Sequence, residues 1–426
     1  MRRADQRADV IVIGAGVAGL ACAADLHAAG LRVRVLEAAD QVGGRMRSDR
    51  VDGFLVDRGF QVFNTAYPQV RRRLELKRLR LRPFSPGAAV HTGAGRLELF
   101  DPTRRPSAVP ALLTGGLVSP RDLMALGGLS ARDMLAPASW LKGGGDRTTR
   151  AALRRAGFSA EFTERFFRPF LSGIFLEDDL ETSSRFFHLV WRSMLRGTLC
   201  LPTEGIEAVP RAMAAELPEG TVRLQCGAKE LTDTGAVAGT RGATVVTDAG
   251  ERCAADAVVV ATGPSATRSL LPGMPVPPYR TVTTYYHVAP RSPLNEPTLL
   301  LDERRRFLNT CVLSEVVPSY APGDAALVAT SVLGADEEGH ERAVRAALSE
   351  VYGTDTAAWH LLVTRTIAQA LPAMRPRHPL SGTSRVTPGV HVCGDHRATG
   401  SVQGAMASGA RAAREVLHDL HGSGHG

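Results

Sequence analysis

Short runs of apolar, β-branched residues alternate with longer helix-forming stretches along this chain, and the pattern is clearest near its start. Val10–Ile13 is an uninterrupted apolar run, typical of a buried parallel strand. The Ala- and Leu-rich stretch Val17–Ala29 favours a helix that ends at Gly30. Leu31–Leu36 is a second apolar run, and Glu37 closes it. Strand, helix and strand in this order predict a βαβ unit.

Three glycines follow the first strand, and each has a physical reason to be glycine. Gly14 permits a tight turn, Gly16 lets the backbone approach a pyrophosphate, and Gly19 lets helix and strand pack closely. The helix N-terminus offers free N–H groups and partial positive charge to phosphates. Glu37 is placed to accept hydrogen bonds from ribose hydroxyls, and an acid there disfavours the 2′-phosphate of NADP. These features predict a dinucleotide site, with a tight βα turn without ligand as the alternative.

The rest of the chain gives further strands and helices by the same patterns. A hairpin is predicted between Val51 and Phe63, with Asp52-Gly53 at its turn. Strands are predicted at Leu97–Phe100, Thr221–Cys226, Lys229–Thr232, Ala243–Thr247, Ala257–Ala261, Thr281–Val288, Thr310–Leu313, Ala326–Val332 and Val390–Cys393. Helices are predicted from Ser119-Pro120 onward, within Thr148–Gly173, and at Leu180–Arg196, Ile206–Leu217, Asp336–Val351 and, after Ala405, up to Leu417.

Aromatic and histidine side chains on these elements allow a structural and a functional interpretation. Phe158, Phe162 and Phe166 recur at helical spacing, which is more typical of a core than of a substrate pocket. His188 is better explained as a packed helix residue than as a catalytic base. Tyr285 and His287 share one face of a predicted strand and could point at a substrate, although a buried, hydrogen-bonded pair is the simpler expectation.

Size and charge narrow the class of protein. The 426 residues suffice for two or three domains, and 44% hydrophobic with 22% charged residues is ordinary globular composition. The net charge of +8 comes mostly from dispersed arginines, so nucleic-acid binding is not expected. One basic run, Arg71–Pro83, contains four interleaved leucines. It predicts a solvated helix with a leucine face, and contact with an anionic membrane surface or partner is the alternative.

Cysteine usage and the chain ends bear on location. Six cysteines are scattered without a CxxC pair, which favours reduced thiols in a cytoplasm over a zinc site or a disulfide framework. No signal-peptide core and no membrane-spanning apolar run are evident. We therefore expect a cytoplasmic protein without a metal site. Peripheral contact with a membrane is the alternative that the sequence leaves open. The Gly/His-rich end, His418–Gly426, is expected to fray.

The residues after Glu37 add a family resemblance. A double glycine precedes Arg45, giving close backbone approach with a cation beside it, and a second motif runs from Asp52 to Val62. Together with the GxGxxG motif, they resemble the N-terminal signature of the flavin-containing amine oxidase and phytoene desaturase superfamily. The resemblance covers roughly the first 65 residues. It implies FAD rather than NAD as the nucleotide.

The far end of the chain extends this resemblance. Ala257–Ala261 with Thr262-Gly263 is similar to the second half of the family's FAD domain, and Ala228 falls where the family holds adenine with a backbone group. Gly394-Asp395 opens a pattern similar to the C-terminal FAD motif, with an N–H for phosphate and a carboxylate for a ribityl hydroxyl. The resemblance implies cofactor contacts at Gly14, Gly16, Val17, Ala18, Gly19, Glu37, Ala38, Gly43, Gly44, Arg45, Met46, Gly59, Phe60, Gln61, Ala228, Thr262, Gly263, Gly394, Asp395, Ser401, Val402 and Gln403.

The fold class that follows is α/β, with a doubly wound, Rossmann-like FAD-binding domain and an inserted mixed α/β substrate domain. The FAD domain is assigned to 1–83, 201–272 and 371–426. The substrate domain is assigned to 84–200 and 273–370.

Departures from the family pattern shape the expected chemistry. Ser401 stands where amine oxidases commonly place an aromatic cage residue, and no cysteine matches the covalent flavin link. We therefore expect non-covalent FAD and a desaturase- or dehydrogenase-like oxidation of a hydrophobic or bulky small molecule, with oxygen or a quinone as acceptor. Amine oxidation, flavin-dependent isomerisation and non-catalytic partner binding are the alternatives. Gln61, Tyr285 and Ser401 are the candidate substrate-side residues, and the sequence leaves the oligomeric state open.

Overall fold

The computed structural model describes residues 7–93, 95–101, 103–105, 118–233 and 242–421. The strands in chain order are β1 (Val10–Ile13), β2 (Val33–Leu36), β3 (Ser48–Val51), β4 (Phe54–Asp57), β5 (Phe63–Asn64), β6 (Leu81–Pro83), β7 (Gly87–Thr92), β8 (Gly95–Phe100), β9 (Leu199–Pro202), β10 (Val222–Arg223), β11 (Ala228–Asp233), β12 (Ala243–Thr247), β13 (Arg252–Ala255), β14 (Ala257–Val260), β15 (Tyr279–Ala289), β16 (Leu300–Asp302), β17 (Asn309–Val312), β18 (Ala326–Leu333), β19 (His360–Pro372), β20 (Arg385–Thr387) and β21 (Val390–Val392).

The α-helices, again in chain order, connect and cover these strands. They are α1 (Val17–Ala28), α2 (Pro68–Arg73), α3 (Pro120–Leu135), α4 (Ala138–Gly143), α5 (Thr149–Arg155), α6 (Ala160–Phe162), α7 (Arg168–Phe175), α8 (Ser184–Arg196), α9 (Ala208–Ala215), α10 (Pro264–Leu270), α11 (Leu313–Val316), α12 (His340–Tyr352) and α13 (Val402–His421). Shorter helical turns of 3₁₀ or π type lie at Leu76–Leu79, Thr163–Phe167, Pro318–Tyr320 and Asp395–Arg397.

A six-stranded sheet in the order β10-β2-β1-β14-β21-β20 forms the first half of the fold, and its strands are parallel except for the β20–β21 pair. Val10 and Val12 of β1 face the core formed with α1 and α13. Ile11 and Ile13 face the opposite core, beneath the small sheet β11-β12-β13. Since β1 is buried on both faces, its uninterrupted apolar run is explained. The predicted α/β class and Rossmann-like unit are confirmed.

A seven-stranded sheet in the order β19-β15-β18-β17-β16-β7-β8 forms the second half. It combines strands from Gly87–Phe100 with strands from Tyr279–Pro372, which lie far apart in the sequence. Helix α12 packs on one face of this sheet. The opposite face contacts residues of β4, including Phe54 and Val56. The exact domain boundaries stay a prediction.

The predicted single helix over Arg71–Pro83 is wrong. Helix α2 ends at Arg73, a 3₁₀ turn follows, and Arg80 adopts a left-handed φ of 46° before β6. Leu74 and Leu79 are buried, and the two other leucines of the run pack against the same core. The leucines therefore form neither a solvent-facing nor a membrane-facing surface.

Other predicted elements are found with shifted ends. The hairpin is β3–β4, and Asp52 and Gly53 both take positive φ at its turn. The aromatic stripe is a core feature, as expected, because Phe158, Phe162 and Phe166 are all buried in one cluster. His188 is a packed residue whose Nδ1 lies 2.8 Å from Asp133 Oδ2.

The remaining differences are matters of length. Predicted strand Thr221–Cys226 is reduced to Val222–Arg223, and the predicted helices at Leu180, Ile206 and Asp336 begin later, at Ser184, Ala208 and His340. Residues 1–6, the first part of the apolar stretch 106–145 (106–117) and the tail beyond His421 lie outside the described residues. Across the described ranges, no helix combines the length and apolar character needed to cross a membrane.

Candidate functional site

The candidate site lies at the edge of the six-stranded sheet where the parallel strands β2, β1, β14 and β21 end side by side. The loops that follow these strands carry Gly14–Gly19, Glu37, Thr262-Gly263 and Gly394-Asp395. Ligands of open α/β sheets bind at the carboxyl ends of the strands. The topology thus gathers the predicted cofactor residues of both chain ends at one edge.

The three glycines of the GxGxxG motif, of which Gly14 and Gly16 lie in the first loop and Gly19 in α1, have distinct surroundings. Gly14 has a φ of +104°, and a Cβ there would lie 2.8 Å from the carbonyl oxygen of Ala261. A Cβ on Gly19 would lie 2.0 Å from the carbonyl oxygen of Gly14, so helix α1 packs directly on the turn. A Cβ on Gly16 would meet no atom within 4 Å. Open space therefore lies over Gly16 at the start of α1, which fits a bound diphosphate.

The double-glycine loop packs beside the first loop. The N–H of Gly43 donates to Ala15 O at 2.9 Å, and Gly43 and Gly16 form a parallel bridge. Gly43 and Gly44 have φ values of +120° and +60°, which favour glycine. Gly44 is exposed beside the open space over Gly16. Both loops thus present backbone to the same opening.

Other predicted contacts of this loop region are backbone positions. The side chains of Val17, Ala18 and Met46 are buried in the core, so only their main-chain groups are available to a cofactor. Thr262 Oγ1 lies 3.0 Å from Thr267 Oγ1. Gly263 is the N-cap of α10, and a Cβ added there would meet no atom within 4 Å.

Glu37 joins two loops through its carboxylate. Its Oε2 accepts from Ala15 N at 2.7 Å, and its Oε1 accepts from Ala39 N at 2.9 Å. A carboxylate has about four acceptor sites, so ribose contacts remain compatible with these bonds. Ala38 is exposed next to Glu37, and a Cβ on Gly227 would lie 3.2 Å from Ala38 Cβ. The strand that begins at Ala228 therefore starts beside the loop of Glu37 and Ala38, and its contact with adenine stays a prediction.

Arg45 and Asp395 form an ion pair between the two motifs. Arg45 Nη2 lies 2.8 Å from Asp395 Oδ2, and Arg45 Nη1 donates to Ala370 O at 2.7 Å. The hydroxyl of Tyr279 donates to Asp395 Oδ1 at 3.2 Å, and the Arg45 guanidinium lies 5.8 Å from the centre of the Tyr279 ring. Burial and the nearby Asp395 charge raise the pKa of Tyr279 well above its usual range, so the phenol stays a donor.

The predicted phosphate contact of the Gly394 N–H is wrong. This N–H donates to the buried Ser408 Oγ at 2.8 Å. A Cβ on Gly394 would lie 2.6 Å from the His396 ring, so the glycine makes room for that ring. Burial lowers the pKa of His396 to about 4, which keeps the imidazole neutral at pH 7. Gly394 thus shapes the loop rather than offering a donor.

The start of α13 explains the next predicted residues. Ser401 Oγ accepts from Gly404 N at 3.1 Å and caps the helix, and its substrate-side role stays a prediction. The geometry of a helix start gives the N–H groups of Val402 and Gln403 no intrahelical acceptor, and these residues are half-buried. Gln403 Oε1 accepts from Gln69 N at 2.9 Å.

The loop of Gly59, Phe60 and Gln61 borders Arg45. Gln61 Nε2 donates to Arg45 O at 2.8 Å, and the Phe60 N–H donates to Thr284 Oγ1 at 3.3 Å. A Cβ on Gly59 would lie 3.2 Å from a methylene carbon of Ile367 in β19. This loop therefore joins the seven-stranded sheet to the edge of the six-stranded sheet where β2, β1, β14 and β21 end, which we call the cofactor edge.

Tyr285 and His287 are buried and hydrogen-bonded, which confirms the simpler expectation for this pair and contradicts the substrate-side role of Tyr285. Tyr285 is fully buried under α12, where its hydroxyl donates to Asp336, and His287 beside it contacts Glu341 at 2.9 Å. The adjacent Tyr286 points the other way and donates to Asp57 O at 2.7 Å. The sequence missed Tyr279 near Arg45, and no local pattern marks it.

Comparison with known proteins gives the family. The model of the family described as flavin containing amine oxidoreductase matches residues 17–417. Over 56 residues the chain is 54% identical to lysine-specific histone demethylase 2 of Homo sapiens. This match covers 13% of this chain and 7% of that protein. Over 92 residues it is 38% identical to coproporphyrinogen III oxidase of Propionibacterium freudenreichii subsp. freudenreichii. That match covers 22% of this chain and 16% of that protein.

The matched stretches thus span a small part of both relatives, whereas the structural likeness spans the whole chain. A putative protoporphyrinogen oxidase from Exiguobacterium sp. 255-15 superposes with a TM-score of 0.71 over 98% of this chain and 99% of its own, at 16% identity. At that identity the likeness shows the fold alone. The chain belongs to the family of flavin-containing amine oxidoreductases.

Proposed function

We propose that the protein binds FAD non-covalently and dehydrogenates a hydrophobic or bulky organic substrate, with oxygen or a quinone as acceptor. When bound, a flavin accepts a hydride or its equivalent, while the protein supplies binding and orientation. The observation that carries the substrate class is the role of Ser401, whose hydroxyl caps α13. No aromatic side chain stands at that position to form the cage that amine oxidases commonly have.

Three groups support the cofactor. The open space over Gly16, with the start of α1 beneath it, suits a diphosphate. The carboxylate of Glu37 stands beside the exposed Ala38, where ribose hydroxyls can donate to it. The N-terminus of α13 presents the N–H groups of Val402 and Gln403 with a partial positive charge, which favours an electron-rich ring edge.

The cysteines support a non-covalent cofactor. All six are free and buried. Cys393 ends the strand before Gly394, and burial raises the pKa of its thiol to about 12. A neutral, buried thiol is a poor nucleophile. This cysteine is therefore unsuited to a covalent flavin link.

The charged groups around Arg45 support a reaction without a dedicated base. Arg45, Asp395 and Tyr279 bond to one another, and the predicted candidate Gln61 donates to the Arg45 backbone. Removing hydride from a carbon needs orientation over the flavin more than a strong acid or base.

An anaerobic titration tests the reaction. Purified holoprotein is mixed in turn with polyenes, porphyrinogens and amines, and flavin absorbance is followed. Bleaching by polyenes or porphyrinogens but not by amines is the expected result, and re-oxidation is then compared for oxygen and a quinone. Bleaching by amines alone would establish amine oxidation instead. Conversion of substrate without bleaching indicates isomerisation, and no response to any class favours a non-catalytic role.

The attachment of the cofactor is tested separately. Acid precipitation should release all FAD into the supernatant, where its spectrum identifies it. Flavin retained on the precipitated chain would refute non-covalent binding without bearing on the reaction.

A further inference from the structure

Helix α3 and the short helix α4 carry an apolar outer surface, which we call the α3–α4 surface. Met124, Leu135 and Trp140 are 72%, 80% and 62% exposed. Gly128 and Ala131 complete a stripe with Met124 and Leu135 along the exposed side of α3. Their spacing of four, three and four residues places them on one helix face. Leu123 and Met134 flank the stripe and are also exposed.

The charges of the α3–α4 surface all have one sign. Between residues 118 and 145 the two acidic residues are Asp122 and Asp133, and both are buried against the protein. The cations of the same stretch, Arg121, Arg132 and Lys142, are exposed. Arg132 also pairs with Asp133, with 2.8 Å between Nη2 and Oδ1, whereas no ion pair is found for Arg121 or Lys142 within the described residues. The outer side therefore presents apolar side chains among positive charges, and the described residues of this stretch add no exposed acid.

The backbone carbonyl groups at the C-terminal end of α3 have hydrogen-bond donors within the protein. Arg192 Nη1 of α8 donates to the carbonyl oxygens of Asp133, Met134 and Ala136 at 2.7, 2.9 and 2.6 Å. Carbonyl groups at a helix C-terminus otherwise depend on water, and burying them unpaired is costly. This end of the helix can thus approach an apolar medium without leaving those carbonyls unpaired.

We propose that the α3–α4 surface docks on an anionic lipid bilayer, with Met124, Leu135 and Trp140 at the boundary between headgroups and acyl chains. Apolar residues with surrounding cations are the composition of an interfacial helix. Tryptophan favours the membrane interface because its ring is apolar and its N–H is polar. A second copy of this chain would place the same positive charges against one another, which disfavours self-association through this surface. The proposal does not depend on the substrate or on bound FAD.

Vesicle binding tests the proposal on the full-length holoprotein. Vesicles of phosphatidylcholine with phosphatidylglycerol should sediment the protein, vesicles of phosphatidylcholine alone should do so weakly, and added salt should reduce binding. The triple variant Met124→Gln/Leu135→Gln/Trp140→Gln should lower the bound fraction by roughly tenfold or more. The matched control is Leu333→Gln/Leu361→Gln, since both leucines are 41% exposed on the seven-stranded sheet, and it should bind as wild type.

Fluorescence gives a local readout. Of the three tryptophans, Trp191 and Trp359 are buried, so an environmental change at Trp140 dominates the response. Anionic vesicles should shift its emission to the blue, and Trp140→Phe should abolish the shift while the protein still sediments. Equal binding of neutral and anionic vesicles, or binding unaffected by the triple variant, overturns the proposal. Self-association that the triple variant removes, without vesicle binding, overturns it in favour of an interface between copies.

Discussion

Alanine at Gly16 and alanine at Gly19 should separate the cofactor role of the first loop from its folding role. At Gly16 the backbone φ is −70°, which any residue adopts, and an added methyl meets no atom within 4 Å. At Gly19 the same methyl would lie 2.0 Å from the carbonyl oxygen of Gly14. Gly16→Ala would fill open space that we expect the cofactor to occupy. Gly19→Ala would fill space that the protein already occupies.

The magnitudes follow from these surroundings. Gly16→Ala should change the free energy of unfolding of the apoprotein by less than about 1 kcal/mol. Gly19→Ala forces the loop or α1 to move, and such overpacking costs about 1–3 kcal/mol. FAD affinity should fall roughly tenfold or more for Gly16→Ala, which corresponds to at least about 1.4 kcal/mol of binding free energy.

Urea unfolding of the apoprotein and a fluorescence titration with FAD measure the two effects. Gly143→Ala is the control, because its methyl also meets no atom within 4 Å and lies in α4, away from the site. It should leave FAD affinity unchanged and change the free energy of unfolding by less than about 1 kcal/mol. The reasoning is refuted if Gly16→Ala destabilises the apoprotein as much as Gly19→Ala does, or if it binds FAD with wild-type affinity.

Three further substitutions test the site and its supports. Glu37→Gln should lower FAD affinity roughly tenfold and the free energy of unfolding by about 1 kcal/mol, because an amide nitrogen cannot accept from the loop N–H groups; unchanged titrations would contradict this. Ser408→Ala should cost about 1–3 kcal/mol in urea unfolding by leaving the Gly394 N–H unpaired, and an unchanged midpoint would refute that support. Burial raises the pKa of Asp57 from 3.8 to about 6, so the folded state holds this proton more tightly, and stability should fall by about 3 kcal/mol as pH rises from about 4 to about 6. In Asp57→Asn, the free energy of unfolding should depend on pH less steeply across this range than it does in the wild type. An equally steep pH dependence in both proteins would count against the role of Asp57.

The βαβ unit could be predicted because its signals are local. The apolar run Val10–Ile13, the glycines after it and Glu37 lie within one short stretch, and each has a single structural reason. The register of β1 between β2 and β14 then follows from a strand buried on both faces. Local sequence therefore suffices for the fold of the cofactor edge.

Other features escaped prediction because their determinants are distant or ambiguous. From Tyr285 to Val288 every residue of β15 is buried. The alternation of side chains along the strand therefore could not tell which face of the sheet is turned toward the six-stranded sheet. In the run Arg71–Pro83 the leucine spacing fits neither a helix nor a strand throughout, and the left-handed Arg80 divides it. The acceptor for Gly394 is Ser408, on a helix whose packing only the fold supplies.

The ion pair of Arg45 and Asp395 shows why neither motif defines the site alone. Asp395 is buried, and its two oxygens are bound by Arg45 and by Tyr279 of β15, while Arg45 also binds Ala370 O of β19. The guanidinium beside the glycine loops is thus held by the seven-stranded sheet as well as by the six-stranded one. A held guanidinium loses less side-chain entropy when a diphosphate binds nearby. Any change that moves β15 or β19 relative to the strand ends of the six-stranded sheet therefore moves the Arg45 charge. Since we expect Arg45 to contact the cofactor, we expect such a change to alter FAD affinity as well.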